Sequence, residues 1–174
     1  MNALETRRKA DLAKVKDLCE RSGGRIRLVS ADGDAPTTIR LELNYRTAGS
    51  TSFPEQELSS VEMKIQLPAG YPFRSPPVAT LNPVVYHPNV YASGQVCLGS
   101  KWVVSEFLDL LVKRVVRIIT YQEDVLNEAS PANGAAVSWY RERKRRFPAA
   151  FPTDTADTVA AVPKSSGMQW NNLK

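Results

Sequence analysis

The stretch Tyr86-His87-Pro88-Asn89-Val90-Tyr91-Ala92-Ser93-Gly94-Gln95-Val96-Cys97-Leu98 shows neither the period of a helix nor that of a strand. It sits inside a longer segment, residues 82–102, of the same character. A structured loop of that length within a compact domain is usually functional. It places an amide, Asn89, eight residues before a thiol, Cys97. Acyl transfer through a cysteine needs the thiol on an exposed loop and a hydrogen-bond donor near the developing oxyanion. This one segment supplies a candidate for each.

The loop also divides the chain. Upstream, the apolar residues alternate with polar ones: Ile26 and Leu28, then Ile39, Leu41, Leu43 and Tyr45, then Val61, Met63, Ile65 and Leu67. Period-two alternation means one buried and one wet face, the habit of an antiparallel sheet. Prolines 68, 72, 76, 77, 83 and 88 leave room for only a short edge strand, about Val78–Leu81. Before the strands, Leu4, Leu12, Val15 and Leu18 predict a helix over residues 3–21, stopped by Gly23-Gly24. Downstream of the loop, Leu108, Leu111, Val112, Val115, Ile118 and Ile119 predict a mostly buried helix over 105–121, with Ser105 as its N-cap. A second helix spans about Asn133–Arg146. The expected fold is α+β: an N-terminal helix, a four-stranded antiparallel meander, the long loop and two C-terminal helices. Past Phe147 the composition turns to Pro, Ala, Thr and Ser, so residues 1–149 are expected to form the domain. Residues 150–174 read as a weakly structured tail with Met168 and Trp170 as candidate anchors.

At 174 residues the chain can bury roughly 70% of its unfolded surface without metal or disulfide staples. The cysteines Cys19 and Cys97 and the single histidine, His87, fall in no metal-ligand spacing, and no metal or cofactor is expected. Cys19 lies among the apolar positions of the first helix and reads as a boundary residue. No apolar run approaches the ~18 residues of a membrane span, and the N-terminus lacks a secretory pattern, so a cytoplasmic location is expected. The net charge of +5 is concentrated in Arg7-Arg8-Lys9 and in residues 141–146, which carry five positive charges against one negative. Neither run interleaves aromatic residues as a nucleic-acid stacking platform would, so a solvated or protein-docking face is the better reading.

Three residues of the loop carry alternatives. Cys97 is either a nucleophile or a buried, inert thiol between Val96 and Leu98. Asn89 is either an oxyanion donor or a clamp on loop backbone. His87 could serve a thiol hydrolase as base, but its setting between Tyr86 and Pro88 favours a packing role for both His87 and Pro88.

The order Tyr71-Pro72-Phe73, Pro76-Pro77, His87-Pro88-Asn89, Cys97, Trp102 resembles the catalytic core of the ubiquitin-conjugating enzyme family over about residues 3–147. The resemblance implies that Cys97 accepts a ubiquitin-like protein as a thioester from an activating enzyme and passes it to a lysine of a target protein, with Asn89 assisting. Ser130-Pro131-Ala132-Asn133 matches the segment that gates the catalytic groove, making Ser130 the residue that helps position or deprotonate the incoming amine. Phe73, Trp102 and Val104 match loops that form an apolar docking patch. Arg7, Arg8 and Lys9 match the face that meets the activating enzyme. The gap from Cys97 to Trp102 is short for the family, Val103-Val104 stands where Ser-Pro is common, and Ala135 stands where Glu is frequent. These departures put use of a typical ligase in question and would suit a prokaryotic conjugation pathway, some of which act in antiviral defence. A non-catalytic variant that only binds ubiquitin-like proteins is the main rival; such variants typically lack the cysteine. A Cys97–His87 thiol hydrolase is the second.

Overall fold

The computed structural model describes residues 2–99 and 102–156. Helix α1 (Ala3–Arg21) opens on a capping box: the Asn2 carboxamide accepts the Glu5 N–H, and the Glu5 carboxylate takes the Asn2 N–H. Strands β1 (Ile26–Ala31), β2 (Thr38–Leu43), β3 (Val61–Gln66) and β4 (Val78–Asn82) follow as an antiparallel meander in the order β1-β2-β3-β4. The alternation seen in the sequence is the burial seen in β2 and β3, where Ile39, Leu41, Leu43, Val61, Met63 and Ile65 all point inward. In β1 a bulge between Leu28 and Ser30 breaks the register, and Val29 faces outward. Then come helix α2 (Leu108–Ile119) and helix α3 (Gly134–Arg146), with single 3₁₀ turns at Glu123–Val125 and Pro148–Ala150. The α+β class and element order are those expected.

Two cores hold the chain. The larger joins Leu12, Val15 and Leu18 of α1, the inward side of the sheet and the apolar face of α2. The smaller is aromatic: Phe53, Tyr121, Tyr140 and Phe151 pack beneath α3. Phe151 is buried, the Thr153 N–H donates to the Thr120 carbonyl at 3.0 Å, and Asp154 accepts the Arg46 N–H at 2.9 Å. Residues 150–156 therefore belong to the packed domain, and the tail expected from residue 150 does not begin there. Met168 and Trp170 lie outside the described residues.

The helix expected over residues 105–121 also starts later. Ser105 does not cap it; α2 begins at Leu108, with Phe107 extended at the N-cap position and no side-chain cap of its own. The free Leu108 N–H is taken instead by the buried Asp11 carboxylate of α1, at 3.1 Å. That carboxylate accepts the Tyr71 hydroxyl at 2.6 Å and pairs with Arg7 at 3.0 Å. Burial pushes the Asp11 carboxyl up from its ordinary value, against the opposing pull of Tyr71 and Arg7.

Among the described residues no helix is long and apolar enough to cross a membrane, and no group of three or more His, Cys, Asp or Glu could hold a metal ion.

Candidate active site

The path from His87 to Cys97 is set by backbone pairing at the open edge of β4. The Gly94 carbonyl accepts the Leu81 N–H at 2.9 Å, and the Val96 N–H donates to the Ala79 carbonyl at 2.9 Å. Gly94 has φ +83°, and a Cβ there would lie 2.5 Å from the Leu81 carbonyl oxygen, so the approach admits only glycine. The turn closes through Tyr91 N–H to Gln95 carbonyl at 2.9 Å and Gly94 N–H to Tyr91 carbonyl at 2.8 Å. Cys97 leaves this pairing directly, its N–H donated to the Asn89 carbonyl at 2.7 Å. The thiol is free and half-buried.

Cys97 lies in an open groove of about 720 Å³ shared with Tyr91, Trp102, Arg114, Asn127 and Ser130. Ser130 is exposed, and the turn before it is clipped by Asn127: the Ser130 N–H donates to Asn127 Oδ1 at 3.1 Å, and Asn127 Nδ2 donates to the Ser130 carbonyl at 2.7 Å. Cys97 and Ser130, 33 residues apart in the chain, thus face one space.

Asn89 does not line that groove. Its side chain is buried, with Nδ2 donating to the Val125 carbonyl at 2.9 Å and Oδ1 accepting the Asn127 N–H at 2.9 Å. The carboxamide therefore bridges the cysteine loop to the 125–127 segment. The Pro88 carbonyl accepts the N–H groups of Ala132 and Asn133, at 2.8 and 3.1 Å, tying the same loop to the start of α3. His87 is wholly buried, its ring centroid 4.4 Å from that of Tyr121. Its Nδ1 accepts the Asn89 N–H at 2.9 Å, so the neutral ring carries its proton on Nε2, which has no described hydrogen-bond partner. Burial pushes the imidazole down to about 3. A ring so placed is no base for Cys97 at neutral pH.

The expected docking residues divide. Phe73, Val103 and Val104 are exposed, and Lys9 is exposed on α1. Arg8 is half-buried. Arg7 is not a docking residue: its side chain is only 13% exposed and is consumed internally by Asp11, Tyr71 and the carbonyls of Val104 and Glu106. Trp102 is tied down as well, its Nε1 donating to the Pro72 carbonyl at 3.1 Å and its ring 5.8 Å from Tyr71. Both serve the packing of the loops that present Phe73 and Val104, which corrects the expectation for these two.

Sequence reading missed Asn127 and Arg114. Asn127 carries no local pattern, because its role depends on Asn89 and Ser130 folding against it. Arg114 had a faint signal, a cation within an otherwise apolar helix. A second cleft of about 630 Å³, between α3 and the 123–128 segment, holds Arg141, Lys144 and Arg145 with Glu123 and Glu128 but no nucleophile.

Comparison with known proteins shows a family. Residues 56–153, more than half of the chain, match the family described as ubiquitin-conjugating enzyme. The chain is 37% identical over 83 residues to ubiquitin-conjugating enzyme E2 2 of Mycosarcoma maydis, covering 44% of this chain and 40% of that protein. It is 31% identical over 123 residues to ubiquitin-conjugating enzyme E2 1 of Caenorhabditis elegans, covering 65% of this chain and 58% of that protein. The chain thus spans about half the length of these curated relatives. On the match over residues 56–153, the chain belongs to the ubiquitin-conjugating enzyme family.

Proposed function

We propose that this chain accepts a ubiquitin-like protein as a thioester on Cys97 from an activating enzyme and transfers it to an amine of a target protein. The observation that carries the reading is the setting of Cys97: a free, half-buried thiol held by its own N–H on the rim of an open groove. Loading exchanges one thioester for another and needs approach more than acid–base machinery. Discharge builds an oxyanion at the thioester carbonyl, with this groove to receive the incoming amine. ATP is used by the activating enzyme, so the chain itself needs no cofactor. Lys9 and Arg8 on α1 suit docking of that enzyme, and the exposed Phe73, Val103 and Val104 suit an apolar partner such as a ligase. The hydrolase alternative has no support in the geometry, since His87 is sealed in the aromatic core. A non-catalytic role would leave the half-buried thiol on the groove rim without purpose.

The test is reconstitution with ubiquitin, ubiquitin-activating enzyme and ATP. Wild type and Cys19→Ser should form an adduct that thiol reductant removes. Cys97→Ser should form either none or a reductant-resistant ester, and Cys97→Ala none. An adduct that persists in Cys97→Ala and disappears in Cys19→Ser would move the site.

A further inference from the structure

Among its described lining residues the groove around Cys97 contains no carboxylate and one cation, Arg114. The acidic side chains of the surrounding segments are each paired with a basic one, Glu106 with the groove's own Arg114. Glu106 pairs with Arg114 at 3.4 Å, Asp124 with Arg117 at 2.5 Å, Glu128 with Arg141 at 2.6 Å, and Glu123 with Lys144. The position at the mouth that could hold or deprotonate an ammonium is Ser130, whose hydroxyl is neutral at physiological pH. A lysine side chain enters such a groove as a cation, and the described lining residues offer it neither a carboxylate counter-ion nor a base. The walls are partly apolar, with Pro76, Pro77, Tyr91 and Trp102.

Resting on the thioester reading above, we infer that the acceptor this groove takes is the α-amine at the N-terminus of a polypeptide, its first residue seated against the Pro77–Trp102 walls, in preference to a lysine side chain. An α-amine titrates near 7.7–8.0 and a lysine near 10.4, so at pH 7 about 300 times more of the former is neutral, an advantage that its lower basicity only partly gives back. In the transfer, the nitrogen lone pair attacks the thioester carbonyl carbon and a C–N bond forms. The C–S bond breaks, Cys97 leaves as thiolate, and the proton shed by nitrogen passes through water to that sulfur.

The test charges the full chain with ubiquitin through ubiquitin-activating enzyme and ATP, stops charging, and follows discharge at pH 7.0. Two peptide acceptors are offered at equal concentration: one with a free N-terminus and no lysine, the other Nα-acetylated with a single lysine. The free N-terminus is expected to discharge the thioester about tenfold faster or more. Ser130→Asp, which gives an ammonium a counter-ion and a base, is expected to speed lysine discharge and bring the ratio below about threefold. Equal or faster discharge to the lysine peptide by wild type, or a ratio that Ser130→Asp leaves unchanged, overturns the inference. A chain that never forms the reductant-sensitive adduct overturns the thioester reading itself, a different result read before any acceptor is added.

Discussion

His87 and Asn89 sit side by side in the cysteine loop, and both turn inward. The wholly buried His87 is held neutral, its pKa pushed down to about 3 against about 6.5 in an unfolded chain. Below pH 6.5 the unfolded chain binds a proton that the folded chain refuses, so stability falls as pH falls, at about 1.4 kcal/mol per pH unit down to about 3. His87→Gln removes this loss. Its stability deficit relative to wild type, measured by urea unfolding, should therefore shrink by about 2 kcal/mol between pH 7 and pH 5; an unchanged deficit would mean that the ring titrates normally. Asn89 has one N–H of its amide and its oxygen committed to Val125 and Asn127. Asn89→Ala leaves those two backbone groups without their partner at a cost of about 1–3 kcal/mol. Loading and discharge should then fall together, with a lower melting temperature. Loss of discharge alone, with loading and melting intact, would instead mark Asn89 as an oxyanion donor. The sequence placed both residues in a functional loop but left their roles open, because a carboxamide and an imidazole offer the same atoms to a substrate or to backbone. Only the facing segments, 121 and 125–127, decide which partner is met.

Helices α1 and α2 are joined through one carboxylate. Asp11 caps α2 from 97 residues away, and Arg7 holds Asp11 while spanning to the carbonyls of Val104 and Glu106. Arg7→Ala strands a fully buried carboxylate, which should cost about 3–5 kcal/mol. The exposed Lys9→Ala should stay within about 0.5 kcal/mol of wild type, and Arg7→Lys should fall between, since an ammonium cannot reproduce the guanidinium fork. Thermal unfolding of the three variants checks the order; an Arg7→Ala protein as stable as Lys9→Ala would return Arg7 to the docking face. This contact explains both errors of sequence reading at this scale. In the sequence, Arg7 looks like the start of an exposed basic run and Ser105 like a helix cap, because local pattern carries no trace of a partner a hundred residues distant. Where burial follows from period alone, as in β2, β3 and α2, the sequence and the structure agree. In β1 the bulge after Leu28 overrides the period.

Across the whole molecule, the domain extends past the point where composition suggests it ends. Residues 148–156 look like tail, being rich in Pro, Ala and Thr, yet the Phe151 ring and the bonds of Thr153 and Asp154 anchor them. Phe151 lies 5.4 Å from Phe53, 5.2 Å from Tyr121 and 5.1 Å from Tyr140, between centroids. From there a chain of contacts leads to the thiol. The Tyr121 ring packs at a tilt against His87 and its hydroxyl donates to the Tyr86 carbonyl; His87 accepts the Asn89 N–H, and the Asn89 carbonyl accepts the Cys97 N–H. Phe151→Ala empties the centre of the smaller core, at a cost of about 3–5 kcal/mol. A chain ending at Ala149 loses in addition the Thr153 and Asp154 bonds to Thr120 and Arg46. Both should melt about 10 °C or more below the full chain, the truncation lower than the substitution. Both should also lose thioester formation on Cys97 at temperatures where the full chain still charges, because the aromatic core is the floor of the loop. If the chain 1–149 melts within about 2 °C of the full chain and charges as well, a shift of under 1 kcal/mol at this size, then residues 150–156 lie on the domain without supporting it.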